Sequence, residues 1–220
     1  VHLLRQAASL EAVDQWLVPD ASPPYVFEWL DRLGVPLDRV LNVDRGEGYR
    51  RERVLVASIP ARNRAIPKWI VDFLRDQFPT RELPGTDRLF VVRRPSEKRR
   101  LENSSEVGAL FAEFGFQPVN LDDLTVSDQV RIFQGAAVVA GVLGAGLTNL
   151  VYCRPRTTVI EIAPRNLMFP CYYKLSATAG LHHHLVRGTE PQVPWPFYFH
   201  DVSADVRADV PALQRVLSKL

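Results

Sequence analysis

The sequence predicts an α/β fold of two units of unequal completeness, each built on a parallel sheet. Three observations predict it. Apolar runs of strand length alternate along the chain with stripes of helical spacing, which is how a parallel sheet with crossover helices reads. One run, Ala137 to Val142, is apolar throughout, as a strand covered on both faces must be. Pro79 to Thr86, PTRELPGT, places two prolines and a glycine in eight residues and reads as a linker, because such a stretch breaks any element. The limits that follow are a partial N-terminal unit over 1–84, a C-terminal unit over 85–204, and a closing helix over 205–220 that packs back on the N-terminal unit.

Leu3, Leu4, Ala7, Ala8 and Leu10 mark a first helix, and Gln15 to Val18 a short strand ending at Pro19. Pro23 and Pro24 open a helix through about Leu33, with Gly34 at its carboxyl cap. Arg39 to Val43 and Arg53 to Ser58 read as strands. Ile66, Trp69, Ile70, Phe73 and Leu74 form a helical stripe with Pro67 in the first turn. Beyond the linker, Arg88 to Val92 is a strand. Val107, Leu110, Phe111 and Phe114 make the apolar face of a helix closed by Gly115. Gln117 to Asn120 is a strand, and Ser127 caps a helix carrying Val130 and Phe133. The strand over Ala137–Val142, a glycine turn and a helix from Ala145 come next. Thr157 to Ile162 is a strand ended by Pro164, Phe169 to Ala177 a helix stopped by Gly180, and Leu181 to Val186 a strand. Asp209 caps, and Pro211 begins, a last helix.

Within 220 residues the charges nearly balance, 27 basic against 25 acidic, so composition gives no case for a nucleic-acid partner. Cys153 and Cys171 have no metal or redox spacing and read as free buried thiols of a reducing compartment. No run is long enough to span a membrane and no signal-peptide pattern is present; the expected location is the cytoplasm. His2-Leu3-Leu4 already reads as the inside of a helix, which predicts an N-terminally incomplete domain.

The residues with chemistry fall where strands end. Gly144, Ala145 and Gly146 let a ligand approach the backbone, and the first N–H groups of the helix behind them make an anion site. Arg93, Arg94, Lys98, Arg99 and Arg100 cluster after a strand. Two anion-binding features at one sheet edge suit a diphosphate. Glu161, near the end of its strand, reads either as a partner for ribose hydroxyls or as half of a buried pair. Asn103, Gln129 and Asn149 are amides for a base, a sugar or the backbone. Of His182, His183 and His184 only alternate members share a face, and no third ligand stands at zinc spacing, so no metal site is expected. There is no Asp-x-Asp, P-loop or Gly-x-Ser-x-Gly elbow.

The segments VVRRPSEKRRLENSSEV and DQVRIFQGAAVVAGVLGAGLTNLVYCRPRTTVIEIAP resemble the bacterial branch of glycosyltransferase family 61, whose members often carry a capsular-polysaccharide label. Arg93, Arg99, Asn103, Gln129, Gly144, Ala145, Gly146, Leu147, Asn149 and Glu161 stand at the family's motif positions, and His2-Leu3-Leu4 resembles its Asn-Tyr-x-His-Trp-Leu. The resemblance implies the GT-B architecture of two Rossmann-like units, the N-terminal one truncated here. It implies an inverting, metal-independent transferase without a cofactor, whose partners are a nucleotide-sugar, commonly UDP-linked, and a glycan acceptor. By the same resemblance Arg93, Arg99, Asn103, Gln129, Gly144, Ala145, Gly146, Asn149 and Glu161 would hold the donor, and His2 is the candidate base or a donor-phosphate contact.

Two positions depart from the family. Leu143 replaces a histidine, which removes one hydrogen bond to the donor; restoring histidine is expected to raise donor binding. Ser104 replaces a glutamate. These departures support an alternative, a non-catalytic relative that binds a nucleotide or glycan. An unrelated dinucleotide enzyme is a third reading, but the turn lacks the full Gly-x-Gly-x-x-Gly.

Overall fold

Five parallel strands in the order β4-β3-β5-β6-β7 carry the larger part of the molecule. The computed structural model describes residues 1–44, 46, 48–61, 65–78, 87–93, 100–165, 167, 169–190 and 205–220. It divides into Val1–Arg62 and Asn63–Leu220.

The smaller unit holds α1 (His2–Ala7), a 3₁₀ turn at Leu10–Ala12, β1 (Trp16–Pro19), α2 (Pro24–Arg32), a 3₁₀ turn at Leu37–Arg39 and β2 (Val40–Val43). β1 and β2 pair in parallel. Gly34 has φ +68, the left-handed geometry that ends α2. Arg39 Nη1 donates to the carbonyls of Glu11 (2.8 Å) and Val13 (3.1 Å) and ties the first segment to β2. The strand expected over Arg53–Ser58 does not form. Among the described residues this segment pairs with no strand, and Val54 and Val56 are 58% and 84% exposed.

The larger unit contains α3 (Lys68–Asp76), β3 (Asp87–Val92), α4 (Ser104–Glu113), β4 (Gln117–Asn120), α5 (Val126–Gly135), β5 (Ala136–Val142), a 3₁₀ helix at Ala145–Tyr152, β6 (Thr158–Ala163), α6 (Cys171–Ala179), β7 (His182–Arg187) and α7 (Val210–Leu217). The sheet is covered on both faces. On one, Val138, Ala140, Val142, Ile160 and Ile162 pack with Val107, Leu110 and Phe111 of α4 and Leu213 and Leu217 of α7. On the other, Gly141 meets Leu147 of the 3₁₀ helix, and α6 lies over β7. Alternation along the central strand β5 sends successive side chains to opposite cores, which is why it reads as an unbroken apolar run.

Several expectations change. The boundary after residue 84 moves to 62, because α3 belongs to the larger unit. Its Val71 is 1% exposed, and Arg75 donates to the carbonyls of Val151 (2.8 Å), Cys153 (2.7 Å) and Ala179 (3.2 Å). A cation thus satisfies the last carbonyls of two helices. Burial lowers the Arg75 pKa from its ordinary value. The last helix, expected on the N-terminal unit, instead buries Leu213 and Leu217 in the core of the larger unit. Thr125, not Ser127, caps α5: its hydroxyl accepts from Asp128 N–H at 3.1 Å. Asp209 caps α7 as expected, accepting from Ala212 N–H at 2.9 Å. The linker at 79–86 lies outside the described residues. Cys153 is fully buried but Cys171 only half-buried, and neither forms a disulfide; burial pushes the Cys153 thiol up to about 12. Among the described residues, no helix is long and apolar enough to cross a membrane.

Candidate functional site

The strand order reverses between β3 and β5: β4 lies on one side of β3, and β5, β6 and β7 on the other. The crevice beyond the carboxyl ends of two such strands is where doubly wound sheets bind ligands. The turn Gly144–Gly146 follows β5 there, and Arg93 follows β3. A Cβ built on Gly144 would lie 3.1 Å from Arg93 Nη1 and 3.5 Å from its Cζ. The guanidinium therefore rests on the bare face of the turn. Gly144 itself is extended, with φ 174, so its glycine is explained by this close approach and not by backbone strain. Gly146 is equally confined, its Cβ position lying 3.0 Å from Leu121 Cδ1 and 3.2 Å from Val91 Cγ1.

The helix expected behind the turn forms as a 3₁₀ helix over Ala145–Tyr152. The tighter winding stacks residues three apart, and Leu147 and Leu150 are both buried. Its bonding begins with Leu147 N–H to Gly144 O at 3.0 Å. The N–H groups of Ala145 and Gly146 precede that bond at the positive end of the run.

A cavity of about 470 Å³ opens beside the turn, on the α4 face of the sheet. Phe90, Val92, Phe111 and Val142 give it apolar walls, and Arg93, Arg100 and Ser104 are its polar ones. Arg100 is committed to Asp205, donating from Nε (2.9 Å) and Nη2 (2.7 Å) to Oδ2. That pairing raises the Arg100 pKa and lowers the Asp205 pKa. An apolar cleft with a few convergent polar groups is the usual form of a small-molecule site.

The remaining sequence-selected residues divide. Asn103 is buried and clamps one backbone position: its Oδ1 accepts from Ala208 N–H (2.9 Å) and its Nδ2 donates to Ala208 O (3.1 Å). Gln129 and Asn149 hold the turn from behind, Asn149 Nδ2 donating to Gln129 Oε1 at 2.9 Å while Gln129 Nε2 donates to the carbonyls of Leu121 and Leu124. Glu161 is 3% exposed, and its Oε2 lies 2.9 Å from His183 Nε2. His183 Nδ1 meets Ser176 Oγ at 2.9 Å. The Glu161–His183 approach is close but does not have the alignment of a hydrogen bond. His2 lies on α1 of the smaller unit, with Nε2 3.3 Å from Gln6 Nε2. Arg99 lies outside the described residues.

Residues 7–160 match the family model Glycosyltransferase 61. The chain belongs to glycosyltransferase family 61. A beta-1,2-xylosyltransferase of Arabidopsis thaliana is 38% identical over 64 residues, 29% of this chain and 12% of the relative. An alpha-1,3-arabinosyltransferase, XAT3, of Oryza sativa subsp. japonica is 35% identical over 81 residues, 35% of this chain and 14% of the relative. The aligned stretches thus span a small part of those proteins.

Within the family pattern, the two departures have different surroundings. Ser104 is exposed at the cavity wall. Leu143 is 3% exposed in an apolar cluster with Ala163, Leu167, Phe169 and Tyr172. A histidine there would enter a nonpolar surround, so the gain in donor binding expected from the sequence meets a burial cost. Sequence reading missed Arg75, whose helix it assigned to the other unit, and Asp205, which follows no motif. His183 was visible only as one of three histidines; alternation along β7 is the signal that separates it from His182 and His184.

Proposed function

We propose that this chain transfers a sugar from a nucleotide-sugar, UDP-linked, to a hydroxyl of a glycan or polysaccharide acceptor, with inversion and without a metal ion. One observation carries the reading: the Arg93 guanidinium rests on the Gly144 turn at the point where the strand order reverses. The donor diphosphate sits on Arg93 and the N–H groups of Ala145 and Gly146, which replace a cation in stabilising the leaving charge. Arg99 would add a second guanidinium. Gln129 and Asn149 position the turn, and Asn103 positions the wall of the cavity. Glu161 is assigned to the donor ribose by its motif position; its burial against His183 makes its side chain part of the support of the site.

In the reaction a base takes the proton of the acceptor hydroxyl as that oxygen attacks the anomeric carbon. The bond to the nucleoside diphosphate breaks on the opposite face, which inverts the configuration. His2 is the candidate base. Calorimetric titration with UDP, with and without Mg²⁺, tests the donor site. Metal-independent binding lost in Arg93→Ala is the expected result, and no binding of any nucleoside diphosphate refutes the reading. Sugar transfer that survives in His2→Ala refutes the assignment of the base. UDP binding without transfer selects the alternative, a non-catalytic relative; the burial of Leu143 at the family's histidine position is the observation in its favour.

A further inference from the structure

A second concavity, of about 650 Å³, lies between β7 and α7. Four cations line it: Arg165, Arg187, Arg215 and Lys219. They come from three elements. Arg165 follows β6, Arg187 ends β7, Arg215 lies in the last turn of α7, and Lys219 stands two residues beyond the end of that helix. All four are exposed, and among the described residues none makes an ion pair. The carboxylates nearby are used by the backbone. Asp209 accepts from Ala212 N–H as the cap of α7, and Glu190 accepts from the N–H groups of Arg165 (3.1 Å) and Arg207 (2.7 Å). A basic residue in the last turn complements a helix dipole, which accounts for Arg215, and Arg187 Nη1 donates to the Arg165 carbonyl at 3.1 Å; neither role applies to the side chains of Arg165 and Lys219. Leu185 and Val216 add apolar surface to the same groove.

We propose that this groove binds an anionic stretch of the acceptor glycan. Its carboxylate or phosphate groups lie on the four cations, and its sugar rings lie against Leu185 and Val216. The assignment rests on the glycosyltransferase reading above. Guanidinium forks match both oxyanions in bidentate fashion. A groove several hundred cubic ångströms in volume suits a short oligosaccharide. Arg165 and Arg187 stand at the carboxyl end of the sheet, the end that carries the Gly144 turn. β7 is two strands from β5, about 10 Å away, so a bound chain of a few sugars reaches toward the donor turn.

The test is equilibrium binding to the full chain by calorimetry. The probes are a galacturonate hexamer and a phosphorylated oligomannose. Neutral galactose hexamer, a poly-glutamate peptide and phosphatidylserine vesicles are the comparisons. At least one anionic sugar should bind about tenfold more tightly than the neutral hexamer, and more weakly as salt rises. The double variant Arg187→Ala/Arg215→Ala should lose about tenfold of that affinity while keeping UDP binding and its melting temperature. Equal binding of the neutral sugar overturns the proposal. So does peptide or vesicle binding as tight as that of the anionic sugar, or an unaffected double variant. UDP binding without anionic-sugar binding overturns this inference alone. Anionic-sugar binding without UDP binding overturns only the donor reading, and absence of both overturns both.

Discussion

The two units use apolar residues in opposite ways. In Asn63–Leu220 the central strands β5 and β6 are buried on both faces, and Val139, Ile160 and Ile162 are inaccessible. In Val1–Arg62 the buried hydrophobic residues are Trp16, Ala21 and Val35, while Val54, Leu55, Val56 and Ile59 are exposed. Both segments carry runs that read as strands. The difference is the number of partners: five strands give every central residue a neighbour on each side, and a two-stranded sheet gives none. An apolar run becomes a buried strand only where the chain supplies the next strand and a covering helix.

Breaking the larger core should have the largest effect. Ile160→Ala removes a fully buried side chain from β6 and is expected to cost about 2–5 kcal/mol. Val56→Ser, at a position 84% exposed, should stay within about 0.5 kcal/mol. Urea denaturation of both variants checks the comparison, and similar losses would break it. Next in size is Arg75→Ala. It unpairs three carbonyls at the ends of two helices, at a cost of about 3 kcal/mol. The same denaturation curves test whether α3 belongs to the larger unit; an unchanged midpoint would return the boundary to the sequence-predicted linker.

What the sequence made legible follows from the same comparison. Local signals held wherever packing agreed with them. Asp209 caps α7, Gly115 and Gly180 take positive φ after α4 and α6, and β3 to β7 all fall close to their expected spans. The strand over Arg53–Ser58 failed because alternation and branching describe a surface that fits a sheet, not the presence of one. The α3 boundary failed for a related reason. A helix stripe shows that a face is buried but not against what, and Arg75 acts on carbonyls 76, 78 and 104 positions away. At the site, the sequence places Arg93 and Gly144 at neighbouring strand ends, and the Arg93 guanidinium lies against Gly144. Motif position could not separate residues facing the crevice from those behind it. Asn103, Gln129 and Asn149 are bonded to backbone or to each other, which is the ordinary work of buried amides.

The two glycines of the turn sharpen that separation, with a smaller effect. Gly146→Ala drives a methyl onto Val91 and Leu121 in a packed layer and should cost about 1–2 kcal/mol. Gly144→Ala meets only the end of the Arg93 side chain and the Val142 carbonyl at 3.5 Å, and a flexible arginine can move aside. Its stability should change by less than about 0.5 kcal/mol. UDP affinity should nevertheless fall, because the guanidinium has been displaced from the turn. Thermal melting and calorimetry on the same samples separate these outcomes. Equal destabilisation by both substitutions would make the turn a packing element and remove the argument for a ligand there.

The smallest effect is a pH dependence at the edge of the larger unit. The Arg100–Asp205 pair lies beside the cavity, where Glu102 N–H donates to Val206 O and Val206 N–H to Arg100 O, both at 2.9 Å. The segment from Asp205 is thereby bridged onto the start of α4. Hydrogen bonding to Arg100 holds the Asp205 carboxyl below its ordinary 3.8. A carboxyl whose folded pKa is depressed stabilises the fold fully above its unfolded pKa and loses that contribution as pH falls through the folded value. Hydrogen bonding to Asp205 raises the Arg100 pKa; its share is present through the neutral range and is lost only in strongly alkaline solution. Both partners therefore contribute throughout the neutral range. Arg100 is exposed and Asp205 partly so, so salt should weaken the pair. Acid titration of Asp205→Asn against the parent chain should show a flatter loss of stability below pH 4, with the two curves parallel from pH 5 to 9. A difference confined to alkaline pH would mean that Asp205 owes its role to something other than this bond.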